Sequence, residues 1–183
     1  MKPPSEPMKF TKNQIKGASQ FSICEDGWVT DGRILVHKDH VSLPPVYAAA
    51  HKEGIKGTLR ADGGWDYEKV PDIQTVLSVK GNPQLMRDTG IFTKGPAKSY
   101  FRILACKGHS SAILNELIAW AAENPLLNMF QGGPNKPLYV ENSKAGIIAA
   151  IMPHTITRNT NTSGPLEQIE QTLLRYLPRG GPQ

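Results

Sequence analysis

The segment DGWVTDGRILVHKDH, running from Asp26 to His40, limits the possible folds more than any other part of the chain. It places Trp28-Val29 and Ile34-Leu35-Val36 on either side of the polar Thr30-Asp31-Gly32. An Asp side chain bonds nearby backbone and Gly accepts positive φ without steric cost, so these three residues read as a tight β-turn between two strands. Two strands so joined pair antiparallel, and the rest of the chain must supply partners for them.

Those partners are visible as short, punctuated elements. In FTKNQIKGASQFSI, Phe10, Ile15, Ala18 and Phe21 fall near one helical face, with Thr11 as N-cap and Gly17 weakening the helix by about 1 kcal/mol relative to Ala. PPVYAAAHKEG opens on Pro and closes on Gly, the punctuation of a short helix. GTLRADGGWDYEKV predicts a strand, a turn at Gly63-Gly64 and a second strand. VPDIQTVLSV starts extended because Val70 precedes Pro71. Residues 80–96 are broken by Gly and Pro and show no assignable element. SYFRILACKG is a strand, and HSSAILNELIAWAAEN is the clearest helix. Its apolar face holds Ile113, Leu114, Leu117, Ile118 and Ala121, with Ser110 or Ser111 as cap. LLNMF, KPLYVEN and AGIIAAIMPH read as strands, TRNTNTSG as a linker, and PLEQIEQTLLRYL as an amphipathic C-terminal helix.

Helices alternating with hairpin-linked strands predict an α+β fold, antiparallel sheets with helices on one face. The expected organisation is a Pro-rich lead over residues 1–9, a first subdomain over 10–79 and a second over 80–157. A linker at 158–164 and the terminal helix at 165–178 follow, and residues 70–79 form the segment between the subdomains.

The 183 residues carry 21 Lys+Arg against 16 Asp+Glu, a formal charge of +5 that suits nucleic acid without requiring it. Cys24 and Cys106 are the only cysteines and lie far apart, which fits neither a CxxC metal site nor a disulfide scaffold. No apolar run nears the roughly 20 residues of a membrane helix, and the N-terminus lacks the apolar core of a signal peptide. A reduced, cytoplasmic setting is therefore expected.

Catalytic signatures are thin. The chain has no P-loop, no G-x-G-x-x-G after a strand and no G-x-S-x-G. HKDH offers His37, Asp39 and His40 as candidate ligands of a small metal-assisted hydrolase, but strand geometry sends His40 to the face opposite His37 and Asp39. The expectation is no enzyme, no metal and no cofactor. A plain nucleic-acid-binding accessory role is the other alternative.

Three phrases, VTDGRILV, VPDIQTVLS and AIMPHTI, resemble in that order the bacterial DNA sliding clamp, the beta subunit of DNA polymerase III. IKGASQFSICED and the stretch from AILNELIAWAAEN to AIMP are similar to further parts of it. The resemblance spans patches from about Phe10 to Ile156, and nothing matches the clamp's first domain. It implies a reduced clamp-like fold, carried by a phage or plasmid, whose three phrases line one pocket for short linear motifs of DNA polymerases and other clamp-binding proteins. Carried over residue by residue, that pocket holds Thr30, Gly32, Arg33, Leu35, Pro71, Val76, Ala150, Met152 and Pro153. Arg33 stands where the family has His, Ile34 where it has Arg, and His154 where it has a second Met.

The resemblance also implies DNA encircled through its backbone, without sequence reading, by a homo-oligomeric ring. Lys9, Lys12, Lys16 and Lys107 are then the candidate DNA-facing cations. Gln171, Leu174 and Tyr176 in the tail are similar to the Q-x-x-L-x-F peptides that dock in clamps, although the leucine stripe around them also suits ordinary packing.

Overall fold

The computed structural model describes residues 8–18, 20–78, 81–95 and 99–153. Its first helix, α1 (Lys12–Gly17), starts where the sequence places it. The Thr11 side chain accepts from the Gln14 backbone N–H and the Gln14 side chain accepts from the Thr11 N–H, a reciprocal capping box. The helix α2 (Pro45–Lys52) enters on Pro45, whose missing N–H costs nothing in a first turn. Asp72 caps α3 (Ile73–Leu77) through the N–H groups of Gln74 and Thr75. The fourth helix, α4, covers Asn115–Ala122.

Among the described residues, eleven strands form one antiparallel sheet. In chain order the first half supplies β2 (Phe21–Ile23), β3 (Trp28–Thr30), β4 (Ile34–His37), β6 (Gly57–Leu59) and β7 (Trp65–Asp66). The second half supplies β8 (Gln84–Lys94), β9 (Tyr100–Ala105), β10 (Ser110–Leu114), β11 (Leu127–Gln131), β12 (Leu138–Asn142) and β13 (Gly146–Ile151). Their spatial order is β10-β9-β8-β11-β12-β13-β4-β3-β2-β6-β7, while β1 (Met8–Lys9) and β5 (Val41–Ser42) make a separate parallel pair. The two halves of the sequence thus occupy two halves of the sheet and meet at one seam, where β13 pairs with β4 through Ile151–Ile34, Ala150–Leu35 and Ala149–Val36.

Period-two alternation along β4 sends Ile34 and Val36 to one face and Leu35 to the other. The first face carries the main core, where α1, α2 and α4 pack Ile15, Ala50, Leu117 and Ile118 against Val29, Val36, Leu104 and Ile151. Each such fully buried Leu, Ile or Val stabilises the fold by about 1.5–3 kcal/mol. An extra residue in β13 lets Val140 face Ala149 while Glu141 faces Ile147, and this bulge turns both Ile148 and Ala149 into that core. The opposite face is covered near the seam by α3. The fold is α+β, and the helices of the described residues place three on one face and the short α3 on the other.

Two sequence expectations change. HSSAILNELIAWAAEN is a strand followed by a helix: Ser110–Leu114 is β10, and only Asn115–Ala122 is helical. Ser111 caps nothing; its hydroxyl donates to the buried Gln131 Oε1 at 2.7 Å. Residues 84–94, inside the Gly- and Pro-broken stretch 80–96, form β8, the longest strand among the described residues. The terminal helix and its linker lie outside the described residues.

Candidate functional site

The turn between β3 and β4 is held from within. Asp31, with a fully buried side chain, accepts from the N–H groups of Arg33 and Ile34 through Oδ1 at 2.9 and 3.0 Å. Its Oδ2 accepts from Arg33 Nη2 and Nε at 2.7 and 3.1 Å. Thr30 Oγ1 accepts from the Gly32 N–H, and Gly32 sits at φ +86°, a conformation that a side chain would strain. Arg33 reaches on to Glu116 of α4 at 3.1 Å. Burial lowers the Arg33 guanidinium, but the Asp31 hydrogen bonds and charge, with Glu116, outweigh it and leave its pKa raised.

Around this turn the three phrases meet. Leu35 and Ala150 are cross-strand partners, and the Met152 N–H donates to the Arg33 carbonyl at 2.9 Å, tying the end of β13 to the turn. From above, α3 lays Ile73 on the same cluster, with Val76 and Leu77 packed against it. Tyr139 on β12 completes the arrangement by donating its hydroxyl to the Val76 carbonyl at 2.9 Å, and burial raises the pKa of that phenol. Trp28 and Cys24 belong to the same cluster, and burial, then the Glu25 charge, pushes the Cys24 thiol up to about 11.

Leu35, Val76 and Ala150 therefore belong to one cluster, and Thr30, Arg33 and Met152 border it along the turn and strand end. Leu35 and Ala150 are buried beneath α3, whereas Met152 is half exposed. Pro71 and Pro153 are partly exposed and Gly32 is open to solvent. Sequence reasoning missed Tyr139 and Ile73. The alternation Leu138-Tyr139-Val140 was the available signal, since period two puts Tyr139 on the face opposite its two core neighbours.

The other candidates do not gather there. Lys9 lies in β1, Lys12 opens α1, and Lys107 sits in the turn between β9 and β10, so these three share no single element. The side chain of Lys16, together with His154, Gln171, Leu174 and Tyr176, lies outside the described residues. HKDH is not a continuous strand: β4 ends at His37, and Lys38–His40 form a 3-10 turn in which His37 Nδ1 accepts from the Asp39 N–H. The His37 and His40 ring centroids are 6.5 Å apart, and burial, then the charge of His37, lowers the pKa of His40. Among the described residues no three His, Cys, Asp or Glu side chains come together to hold a metal ion. A cavity of about 320 Å³, lined by Phe21, Tyr47, Leu59, Arg60 and Trp65 among others, shares no residue with the seam.

Compared with known protein families, curated proteins and solved structures, the chain matches none of them. No helix among the described residues is long and apolar enough to cross a membrane.

Proposed function

We propose that this chain is a clamp-like, non-enzymatic DNA replication accessory protein that holds short linear motifs of polymerases or other clamp-binding proteins at the seam between β4 and β13. The observation that carries this reading is the meeting of the turn, α3 and the end of β13 around Leu35, Val76 and Ala150, three segments far apart in sequence. Because α3 covers Leu35 and Ala150, a peptide anchor would sit beside the exposed Met152 at the end of β13. Methionine suits that place, being unbranched and adaptable to different anchors. In the ring form of this reading, several copies close symmetrically around DNA and contact its backbone, since a single chain of this size cannot encircle a duplex.

The test is binding of a labelled Q-x-x-L-x-F peptide, with a scrambled peptide as control, to the full chain and to Met152→Ala. Saturable binding weakened about tenfold or more by Met152→Ala is expected, the loss typical of a central anchor contact. No preference over the scrambled peptide, or an affinity indifferent to Met152, sinks the reading. Solution mass with and without circular DNA tests the ring.

A further inference from the structure

The excess charge of the protein is concentrated in one stretch of the sequence. Residues 80–107 hold six of the 21 Lys+Arg and one of the 16 Asp+Glu, so the remainder carries fifteen of each and is neutral. This segment contains the hairpin of β8 and β9, and its register decides which side chains share a face. Phe92 pairs with Arg102 and Lys94 with Tyr100, so these four lie together, while Thr93 and Phe101 point the other way.

Two of the four are exposed aromatics. Phe92 is 48% exposed and Tyr100 55%, an uncommon pairing on a solvated strand face unless something covers it. As diagonal neighbours on antiparallel strands they stand about 7–8 Å apart, close enough for adjacent nucleotides of one strand. Arg102 lies behind the first ring, its guanidinium carbon 5.0 Å from the Phe92 centroid. It is fixed there by Glu123 at the end of α4, 3.1 Å away, and by Asp88 at 3.4 Å. The charge of Arg102 is thus balanced by the two carboxylates of this face, and its part is to hold the Phe92 ring. Lys94 is exposed, and among the described residues its ammonium has no hydrogen-bond or ion-pair partner, which leaves it available for a phosphate.

We propose that the face of the β8–β9 hairpin bearing Phe92, Lys94 and Tyr100 binds single-stranded nucleic acid, with bases stacked on the two rings and the backbone held by Lys94. Sequence-tolerant single-strand binding uses these parts, aromatic platforms interleaved with cations. A duplex, whose bases are already stacked, offers the rings nothing. The site shares no residue with the seam and stands whether or not the seam binds peptide.

The experiment is fluorescence anisotropy of a short labelled oligo(dT) with the full chain at low and moderate salt, beside a duplex of the same length and anionic vesicles. Binding to oligo(dT) should weaken with salt, and Phe92→Ala and Tyr100→Ala should each reduce affinity by about tenfold or more. Phe92→Tyr and Tyr100→Phe should retain it, and Lys94→Gln should flatten the salt dependence by about one phosphate contact. Both aromatic positions are solvent-facing, and an unchanged urea midpoint confirms that the variants fold. Affinity for oligo(dT) that survives the double variant Phe92→Ala/Tyr100→Ala overturns the proposal. So does absence of oligo(dT) binding at low salt, a duplex affinity equally sensitive to the two alanines, or binding confined to the vesicles.

Discussion

The Asp31 carboxylate accepts four hydrogen bonds inside its own turn while having no exposed surface. A buried acceptor in that position does two things at once. It satisfies the N–H of Ile34, which is itself buried, and it neutralises the end of Arg33 nearest the strands. Replacing it by alanine strands the backbone donors at about 1–3 kcal/mol for a buried group, while Arg33, being partly exposed and still bonded to Glu116, loses little. Asp31→Ala should therefore lower stability by about 2 kcal/mol in urea denaturation, and Asp31→Asn by clearly less because the amide oxygen still accepts. Equal losses would mean that the Arg33 ion pair dominates. The turn was legible in the sequence because its Asp and Gly have local reasons to be there. Its reach to Glu116 was not, since that contact depends on where α4 sits.

At the scale of elements, legibility follows how local the signal is. The Thr11 and Pro45 helix starts are read from adjacent residues and occur where expected. By contrast, Ile113, Leu114, Leu117 and Ile118 fit a helical stripe, yet Ser110–Leu114 pairs along all of its length with β9. Gly108, at φ +122°, sends the chain back on itself there, and five strand residues then pair with β9. Periodicity alone cannot separate a short apolar strand from a buried helical turn. The same limit hid α3, five residues long, which is helical because Asp72 caps it. The Asp72 carboxylate is held below its ordinary pKa, first by the Thr75 hydroxyl, which donates to Oδ2 at 2.6 Å, and then by backbone N–H groups. A depressed acid contributes stability that is present above its unfolded pKa of 3.8 and is lost as pH falls through the folded value. Asp72→Ala should therefore lower the urea midpoint at pH 7, and the gap from wild type should shrink below about pH 4. A gap unchanged by acid would show that the cap acts through shape alone.

Across the whole molecule, the two sequence halves are joined on both faces of a short seam. Only three residue pairs connect β4 to β13, too few to couple two domains by backbone alone. One face adds the main core, which runs without a break from Met8 to Ile151. The other adds α3, contributed by the first half and packed on β12 and β13 of the second through Tyr139 and Ala150. A core shared in this way predicts one cooperative transition rather than two. The tryptophans report on it separately, since Trp65 lies in β7 at one edge of the sheet and Trp120 on α4 in the other half. Variants keeping one of these as the sole tryptophan should give coincident urea curves. Ile151 is fully buried at the seam, so Ile151→Ala should cost about 2–5 kcal/mol and shift both curves together. Two separated midpoints, or a shift confined to the Trp120 signal, would mean that the halves fold as independent units and that the site at their junction forms by docking rather than by folding.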